Sequence, residues 1–384
     1  MPTIQARNWK LSISDHDVFQ MFKKKIIITA TSNIIFDQRV QRIDGALSEA
    51  GYDVLIFGRV KRSESTLSLK ASERTRLIIC FFEKSWLFYA EYNLRLFLIL
   101  MSRQWDIVYA CDADTLLAGT VAKLIKRKKI IFDSHEYFEE SPEINNKKLI
   151  QLIWTFIQRI CIPFTQLRFS VSKTLCAELT RKYKRDFFLL RNVPLLRNSI
   201  KKSFDNNKII IYQGVINQGR GLEHMIQTMH SLPQYKLWII GDGDIKAQLE
   251  STVQSESLSK QIIFFDRQTP DELFKLTLQA SIGINLLSGD SKNYYYSGAN
   301  KCYDYIQAGL PSIQMNFPEY EALNAEFEVS VLVADLEVKT LVAAVEKLEN
   351  FDYYQRLQSN CITASQTYHW EHEKINLLDR LNYI

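Results

Sequence analysis

The stretch Tyr294-Tyr295-Tyr296-Ser297-Gly298-Ala299-Asn300-Lys301-Cys302-Tyr303-Asp304-Tyr305-Ile306-Gln307-Ala308-Gly309-Leu310-Pro311 decides how the rest of the chain is to be read. It has the pattern of a loop, a helix of about two or three turns, and a stop. Ser297 and Gly298 are turn formers that leave backbone N–H groups free at a helix start. Gly309 stands where a helix takes a left-handed residue after its last turn, and Pro311 forbids continuation. An apolar run over 281–287 precedes the helix and another begins at 311, so the helix joins two strands of a parallel sheet. Its N-terminus then lies at the carboxyl edge of that sheet, where open α/β sheets hold phosphates with helix-end N–H groups and the helix dipole. Lys301 and Asp304 are one turn apart, an ammonium suited to phosphate and a carboxylate suited to ribose hydroxyls. An ordinary βαβ crossover carrying a solvated Lys–Asp pair has the same pattern.

Outward from this helix, apolar runs at 208–212, 236–240, 261–265, 281–287 and 311–315 alternate with helical segments, the mark of a doubly wound domain. It opens Ile211-Tyr212-Gln213-Gly214-Val215-Ile216-Asn217-Gln218-Gly219-Arg220-Gly221-Leu222-Glu223, a strand, a glycine-rich loop and a helix. Gly214 and Gly219 let backbone approach an anion closely, and Arg220 beside the helix start can fork two phosphate oxygens. Gly241-Asp242-Gly243 is a second turn of this kind, weak evidence by itself. The preceding polar run, 198–208, reads as a linker. Before it lies a second series of strands at 25–30, 53–57, 77–82, 106–110, 129–133 and 167–171, with a helix from Asp37 to Gly51. No glycine fingerprint follows the first strand, so a dinucleotide site is not supported there. Polar clusters end the fourth and fifth strands: Cys111-Asp112-Ala113-Asp114 and Asp133-Ser134-His135-Glu136.

With 384 residues, 46% hydrophobic and 24% charged, the chain has room for two globular domains with cores of their own. Its six cysteines form no C-x-x-C pair, which points to reduced thiols rather than a disulfide or zinc framework. Residues 1–22 are polar without an apolar signal region, so secretion is not indicated, and the chain is expected to be cytoplasmic. Residues 1–200 hold 32 Lys and Arg against 20 Asp and Glu, a net of +12, and the remainder carries −7. A basic half can face nucleic acid, an anionic membrane or an anionic lipid-linked substrate, and nucleic acid is the weakest because no recognition motif accompanies it. Residues 86–101 and 149–164 are unusually apolar but fall short of the roughly 20 uninterrupted residues of a membrane span. Buried helices on the sheet, or interfacial helices with basic neighbours, both fit them.

Asn-Lys-x-x-Asp-Tyr-x-x-Ala-Gly-x-Pro at 300–311 resembles the donor-site helix of the retaining glycosyltransferases of family four. The segments around Asp37-Gln38-Arg39-Val40, Tyr109-Ala110-Cys111-Asp112, Phe132-Asp133-Ser134-His135-Glu136, Asn192-Val193-Pro194 and Trp370-Glu371-His372-Glu373 follow that family's order and spacing across residues 23–384. The resemblance implies the α/β GT-B fold: an acceptor domain over 23–197, a donor domain over 198–362, and a crossing helix over 363–384 that returns to the first. It implies transfer of a sugar from a UDP- or GDP-sugar to a glycan or lipid-linked acceptor, with no cofactor and no metal. His135 is then expected to face the transferred sugar and Arg220 to meet charge on the leaving diphosphate. Gly214, Gly219, Gly241, Gly243, Gly298, Asn300, Lys301 and Asp304 would hold the donor, and Asp37, Arg39 and Asp112 would border the acceptor side. Two positions depart from the family: Val215 stands where an Arg is usual and Tyr296 where the first of two glutamates is usual. Those departures keep open a nucleotide-sugar-binding protein without turnover, and the fold also admits a nucleotide-sugar epimerase. His369 and His372, three apart without a third ligand, do not make a metal site.

Overall fold

The computed structural model describes residues 23–34, 37–61, 73–142, 144, 147–197 and 207–384. The expected tail, 1–22, and most of the expected linker, 198–206, lie outside them.

The first sheet contains β1 (Lys25–Thr29), β2 (Asp53–Arg59), β3 (Thr75–Ile78), β4 (Ile107–Cys111), β5 (Lys129–Ser134), β6 (Leu167–Ser170) and β7 (Phe188–Leu189). Its spatial order is β3-β2-β1-β4-β5-β6-β7, with every pair parallel. The second contains β8 (Ile209–Gln213), β9 (Lys236–Ile240), β10 (Ile262–Phe265), β11 (Ile282–Asn285), β12 (Ser312–Met315) and β13 (Ser330–Val333). It is ordered β10-β9-β8-β11-β12-β13 and is also wholly parallel. Both are doubly wound sheets that reverse direction beside their first strand, at β1/β4 and β8/β11, which opens a crevice at the carboxyl ends. Central strands such as Ile26-Ile27-Ile28 and Ile209-Ile210-Ile211 are buried on both faces, so they read as continuous apolar runs rather than alternating ones.

Three details differ from the sequence expectation. β3 ends at Ile78, because the Phe81 and Phe82 N–H groups donate to the Glu91 carboxylate at 2.7–2.9 Å instead of to a neighbouring strand. β7 is only two residues long, too short for a periodic signal. β13 is a four-residue edge strand paired with β12 alone, between a helix and a loop.

Helix Trp370–Leu381 leaves the second domain and packs Trp370, Leu377 and Leu381 into the core formed by β1 and helix Gln38–Glu49. Its entry is pinned by Trp370 N donating to the Pro194 carbonyl at 2.8 Å and by a buried Arg191–Glu373 ion pair at 2.8 Å. On the opposite rim, Ser172 Oγ donates to the Tyr296 carbonyl at 2.7 Å and Tyr137 N donates to Asn293 Oδ1 at 2.9 Å. The two sheets thus meet with their carboxyl edges facing one another.

Candidate functional site

Helix Asn300–Gln307 joins β11 to β12 and ends at Gly309, whose φ of +62° supplies the left-handed stop. Its N-cap is Ala299, which has no side chain to satisfy the first N–H groups, so the helix start opens on the cleft with them free of a side-chain cap. The solvated Lys301–Asp304 pair does not form. Lys301 is buried, with Nζ 4.0 Å from the centroid of Tyr212 and no hydrogen-bond partner. Burial, and then the nearby Arg220 charge, push its ammonium well below the ordinary lysine range, with Asp304 opposing. Asp304 instead accepts from Gln213 Nε2 at 2.9 Å, and Gln213 Oε1 is held by the Thr277 hydroxyl at 2.8 Å. Burial raises the Asp304 carboxyl to about 6, against the pull of Arg42 and Gln213.

Arg220 closes the loop after β8. Its guanidinium lies 4.7 Å from the Tyr294 ring centroid and its Nε is buried without a hydrogen-bond partner. Two basic side-chain nitrogens without hydrogen-bond partners therefore flank the start of one helix. Gly241 ends β9 with φ +146°, and a Cβ there would stand 1.9 Å from the Gly214 carbonyl oxygen, so the loops after β8 and β9 pack backbone to backbone. Gly214, Gly241, Gly298 and Asn300 line the cavity. Gly219 and Gly243 do not: the first packs on the Tyr294 ring and the second on the Ile216 carbonyl.

Across the cleft, His135 is set between two carboxylates, with Nδ1 3.2 Å from Asp112 Oδ2 and Nε2 3.1 Å from Asp133 Oδ2. Burial alone would lower the imidazole pKa, but Asp112 and Asp133 outweigh it and hold the group well above the usual histidine range. The backbone N–H of His135 donates to Asp112 Oδ1 at 2.7 Å. To reach both groups Asp112 adopts φ +59°, a conformation that costs a non-glycine residue on the order of 1–3 kcal/mol. Asp112 lines none of the cavities described here and acts by positioning His135. Arg39 is 2% exposed and gives Nε and Nη2 to Asp133 at 3.0 and 2.6 Å and Nη1 to the Leu190 carbonyl. It stands behind His135 with its donors committed, so it presents no free charge to an acceptor. Asp37 caps helix Gln38–Glu49 by accepting from Val40 N at 3.1 Å, and also borders the cleft mouth. Cys111, Asp133 and His135 bring ligand-type atoms within 4.8 Å of one another, but Arg39 already holds both oxygens of Asp133. His369 and His372 turn to Glu371 and to the Thr367 carbonyl and do not converge.

The cavity between the two sides holds about 550 Å³ and is lined by His135, Arg220, Gly241, Asn300, Lys301 and Asp304 together. It also takes in Glu136, from the polar cluster after the fifth strand, and Gln213, Asn293 and Arg267, which carried no separate signal in the sequence. Asn293 Nδ2 donates to Glu136 Oε2 at 2.9 Å, so one side chain ties both domains beside His135. Arg42 borders the cleft and reaches across the interface. It donates to Asn192 Oδ1 at 2.6 Å, and its pKa is drawn down to about 10 by burial, against the attraction of Asp304. Val215 is exposed and leaves its loop without a second cation. Tyr296 is outside the cavity lining and packs against the first domain, its ring 6.3 Å from that of Tyr137.

Residues 197–367 match the family described as glycosyl transferases group 1. Over 84 residues the chain is 38% identical to WcaI of Escherichia coli K12, named as a colanic acid biosynthesis glycosyl transferase, covering 21% of this chain and 20% of that protein. The chain thus spans about a fifth of the length of the curated relative it matches. Among solved structures, Anabaena HepE, crystallised with UDP and glucose, is 12% identical with a TM-score of 0.75, over 94% of this chain and 100% of that one. Sucrose-phosphate synthase from Thermosynechococcus elongatus is 14% identical with a TM-score of 0.76, over 94% and 99%. WaaG, a glycosyltransferase of lipopolysaccharide biosynthesis, is 12% identical with a TM-score of 0.66, over 92% and 98%. Two facing doubly wound domains of this form are the GT-B fold, and the match to the group 1 glycosyl transferases lies in the second of them.

Proposed function

We propose that the protein transfers a sugar from a nucleoside diphosphate sugar to an acceptor hydroxyl, with retention, in the synthesis of a cell-surface polysaccharide or glycolipid. The observation that carries this reading is the pair of basic nitrogens without hydrogen-bond partners, Arg220 Nε and Lys301 Nζ, buried at one helix start beside Asp304. Such groups are costly to bury without partners and are matched by a diphosphate. Lys301 supplies from the helix the cation that the loop lacks at Val215. Asp304 and its partner Gln213 then take the ribose hydroxyls. His135, doubly paired and held protonated, faces the transferred sugar from the opposite wall with its charge rather than with a free N–H. No metal or cofactor is assigned a part in this reading. The bound UDP of HepE supports UDP over GDP as the first nucleotide to test.

Val215 and Tyr296 favour a second reading, a nucleotide-sugar-binding protein that does not turn over. A thermal-shift screen with UDP, GDP and their sugars, followed by transfer assays on lipid-linked and glycan acceptors, separates the two. A bound donor raises the apparent stability by mass action. Stabilisation with transfer supports the enzyme, and stabilisation without transfer to any acceptor supports the binding protein. No stabilisation by any nucleotide removes both.

A further inference from the structure

Helix Lys148–Cys161 turns its apolar side outward. Leu149, Leu152 and Phe156 are 71%, 66% and 63% exposed, and Ile153 and Ile160 continue the stripe. The spacing 149, 152, 153, 156, 160 is one face of an α-helix, and the buried face is the different set Trp154, Gln158 and Cys161. Beside it, helix Ala113–Lys126 exposes Val121, Leu124 and Ile125, and helix Ser85–Ser102 exposes Trp86, Leu94 and Leu98 at four-residue intervals or their multiples. The three helices pack side by side on one face of the first sheet, so these side chains form a single apolar surface. A soluble monomer seldom leaves so large a contiguous patch uncovered.

We propose that this surface docks the protein on an anionic lipid bilayer, with helix Lys148–Cys161 as the element that enters the headgroup region. Charge selects this occupant. The outer sides of the three helices carry Arg95, Lys123, Lys126, Lys148 and Arg159, and their acidic residues are Asp114, which is buried, and Glu91, which is paired to Arg95 at 2.7 Å. An apolar stripe edged by lysine and arginine places its aliphatic groups below the phosphates and lets the cations reach them. No helix among the described residues is long and apolar enough to cross a membrane. At 1.5 Å per residue this one spans roughly 21 Å against about 30 Å of hydrocarbon. It lies on the surface.

The docked element is joined to the cleft. Trp154 packs between Tyr89 and Phe138 at centroid distances of 5.0 and 4.8 Å, and Gln158 donates to Glu139 at 2.7 Å. Residues 138 and 139 continue the loop that carries His135 and Glu136. A bilayer on this face therefore lies against the first domain close to the cleft, as a lipid-linked acceptor requires. The docking itself is independent of whether sugar is transferred.

The test is flotation of the full chain with phosphatidylcholine vesicles, with and without phosphatidylglycerol. We expect binding that needs phosphatidylglycerol and weakens as salt rises from about 0.01 to about 1 M, which shortens the screening length from about 30 to about 3 Å. The double variant L152E/F156E should bind on the order of tenfold more weakly or worse, since two charges replace two inserted apolar groups. Its thermal unfolding should match wild type, because both side chains are already solvent-exposed. Brominated lipid should quench Trp86, and Trp86→Phe should lose that component. Absence of flotation at low salt, or equal flotation of the double variant, overturns the proposal. So does a wild-type dimer that the double variant converts to monomer without any vesicle binding, which assigns the face to a second copy of the chain.

Discussion

Burial, and then repulsion between Lys301 and Arg220, hold the Lys301 pKa down. An anion between them relieves that repulsion, so nucleoside diphosphate binding should raise the Lys301 pKa and take up a proton. Affinity should then fall as pH rises and Lys301 loses its charge, with Arg220, Asp304 and Tyr212 as the ionisable neighbours. On the acid side affinity should fall as pH drops through about 6, where Asp304 becomes protonated and loses acceptor capacity. Calorimetry of UDP binding in two buffers of different ionisation enthalpy checks this: the proton-linked heat should be present in wild type and absent in Lys301→Met. Arg220→Ala should lose more single-turnover rate than donor affinity, because charge on the leaving phosphate grows in the transition state. Asp304→Asn should weaken nucleotide binding by roughly 1.5–3 kcal/mol, the range for a hydrogen bond to a charged group. The same change should stabilise the free protein. The folded-state pKa of Asp304 is raised, so ionisation costs stability as pH rises from the ordinary aspartate value through about 6. Thermal unfolding of Asp304→Asn above pH 6 should show a gain of about 1–2 kcal/mol, within the roughly 1.4 kcal/mol per pKa unit that linkage allows. Equal stability and equal nucleotide affinity in wild type and variant would remove Asp304 from the site.

At the scale of elements, the crossing helix is held by a buried ion pair and by Trp370, Leu377 and Leu381 in the first domain's core. Glu373→Ala leaves the Arg191 guanidinium, 11% exposed by side chain, facing a hole instead of a carboxylate. Loss of one partner of a buried pair costs about 3–5 kcal/mol, so the midpoint of denaturant unfolding should fall clearly while donor contacts stay intact. Gly241→Ala tests the loop packing after β8 and β9 in the same assay. Its Cβ meets the Gly214 carbonyl at 1.9 Å in a backbone conformation that alanine avoids, so the loops must part. The expected result is loss of nucleotide binding together with at least the roughly 1–3 kcal/mol that such backbone strain costs. Wild-type binding by this variant would show that the loop has slack.

For the whole molecule, the two domains touch on both rims of the cleft and leave the cavity between. Asn293 bridges them, accepting from Tyr137 N and donating to Glu136, while Ser172 ties the Tyr296 carbonyl. Polar bridges of this kind on the cleft rim permit relative domain motion. Small-angle scattering should therefore show a smaller radius of gyration with donor bound than without it. Asn293→Ala should lessen that compaction and weaken donor binding without lowering the stability of either core. An unchanged radius on donor binding would mean that the domains are already fixed in place.

Much of this was legible along the chain because it depends on local physics. Runs of Ile and Val spaced by helices specify parallel doubly wound sheets, and Gly309 with Pro311 ends helix Asn300–Gln307 by backbone geometry alone. The order of Asp304, Arg220 and His135 along the chain, with their motifs, was enough for the family resemblance. Tertiary structure decided what each charge meets. Lys301 and Asp304 are one turn apart on a helix, yet the first turns to Tyr212 and the second to Gln213, neighbours on β8 whose side chains alternate in direction. Arg39 borders the cleft mouth as expected, but its donors are taken by Asp133, which lies 94 positions away. Arg42, three residues on, approaches Asp304 from the other domain. For helix Lys148–Cys161 the sequence left a buried and an interfacial reading open, because an amphipathic pattern states that one side is apolar and does not say which side the sheet will cover. Helix periodicity acts within a few residues, whereas burial and charge pairing depend on segments brought together only when both sheets close.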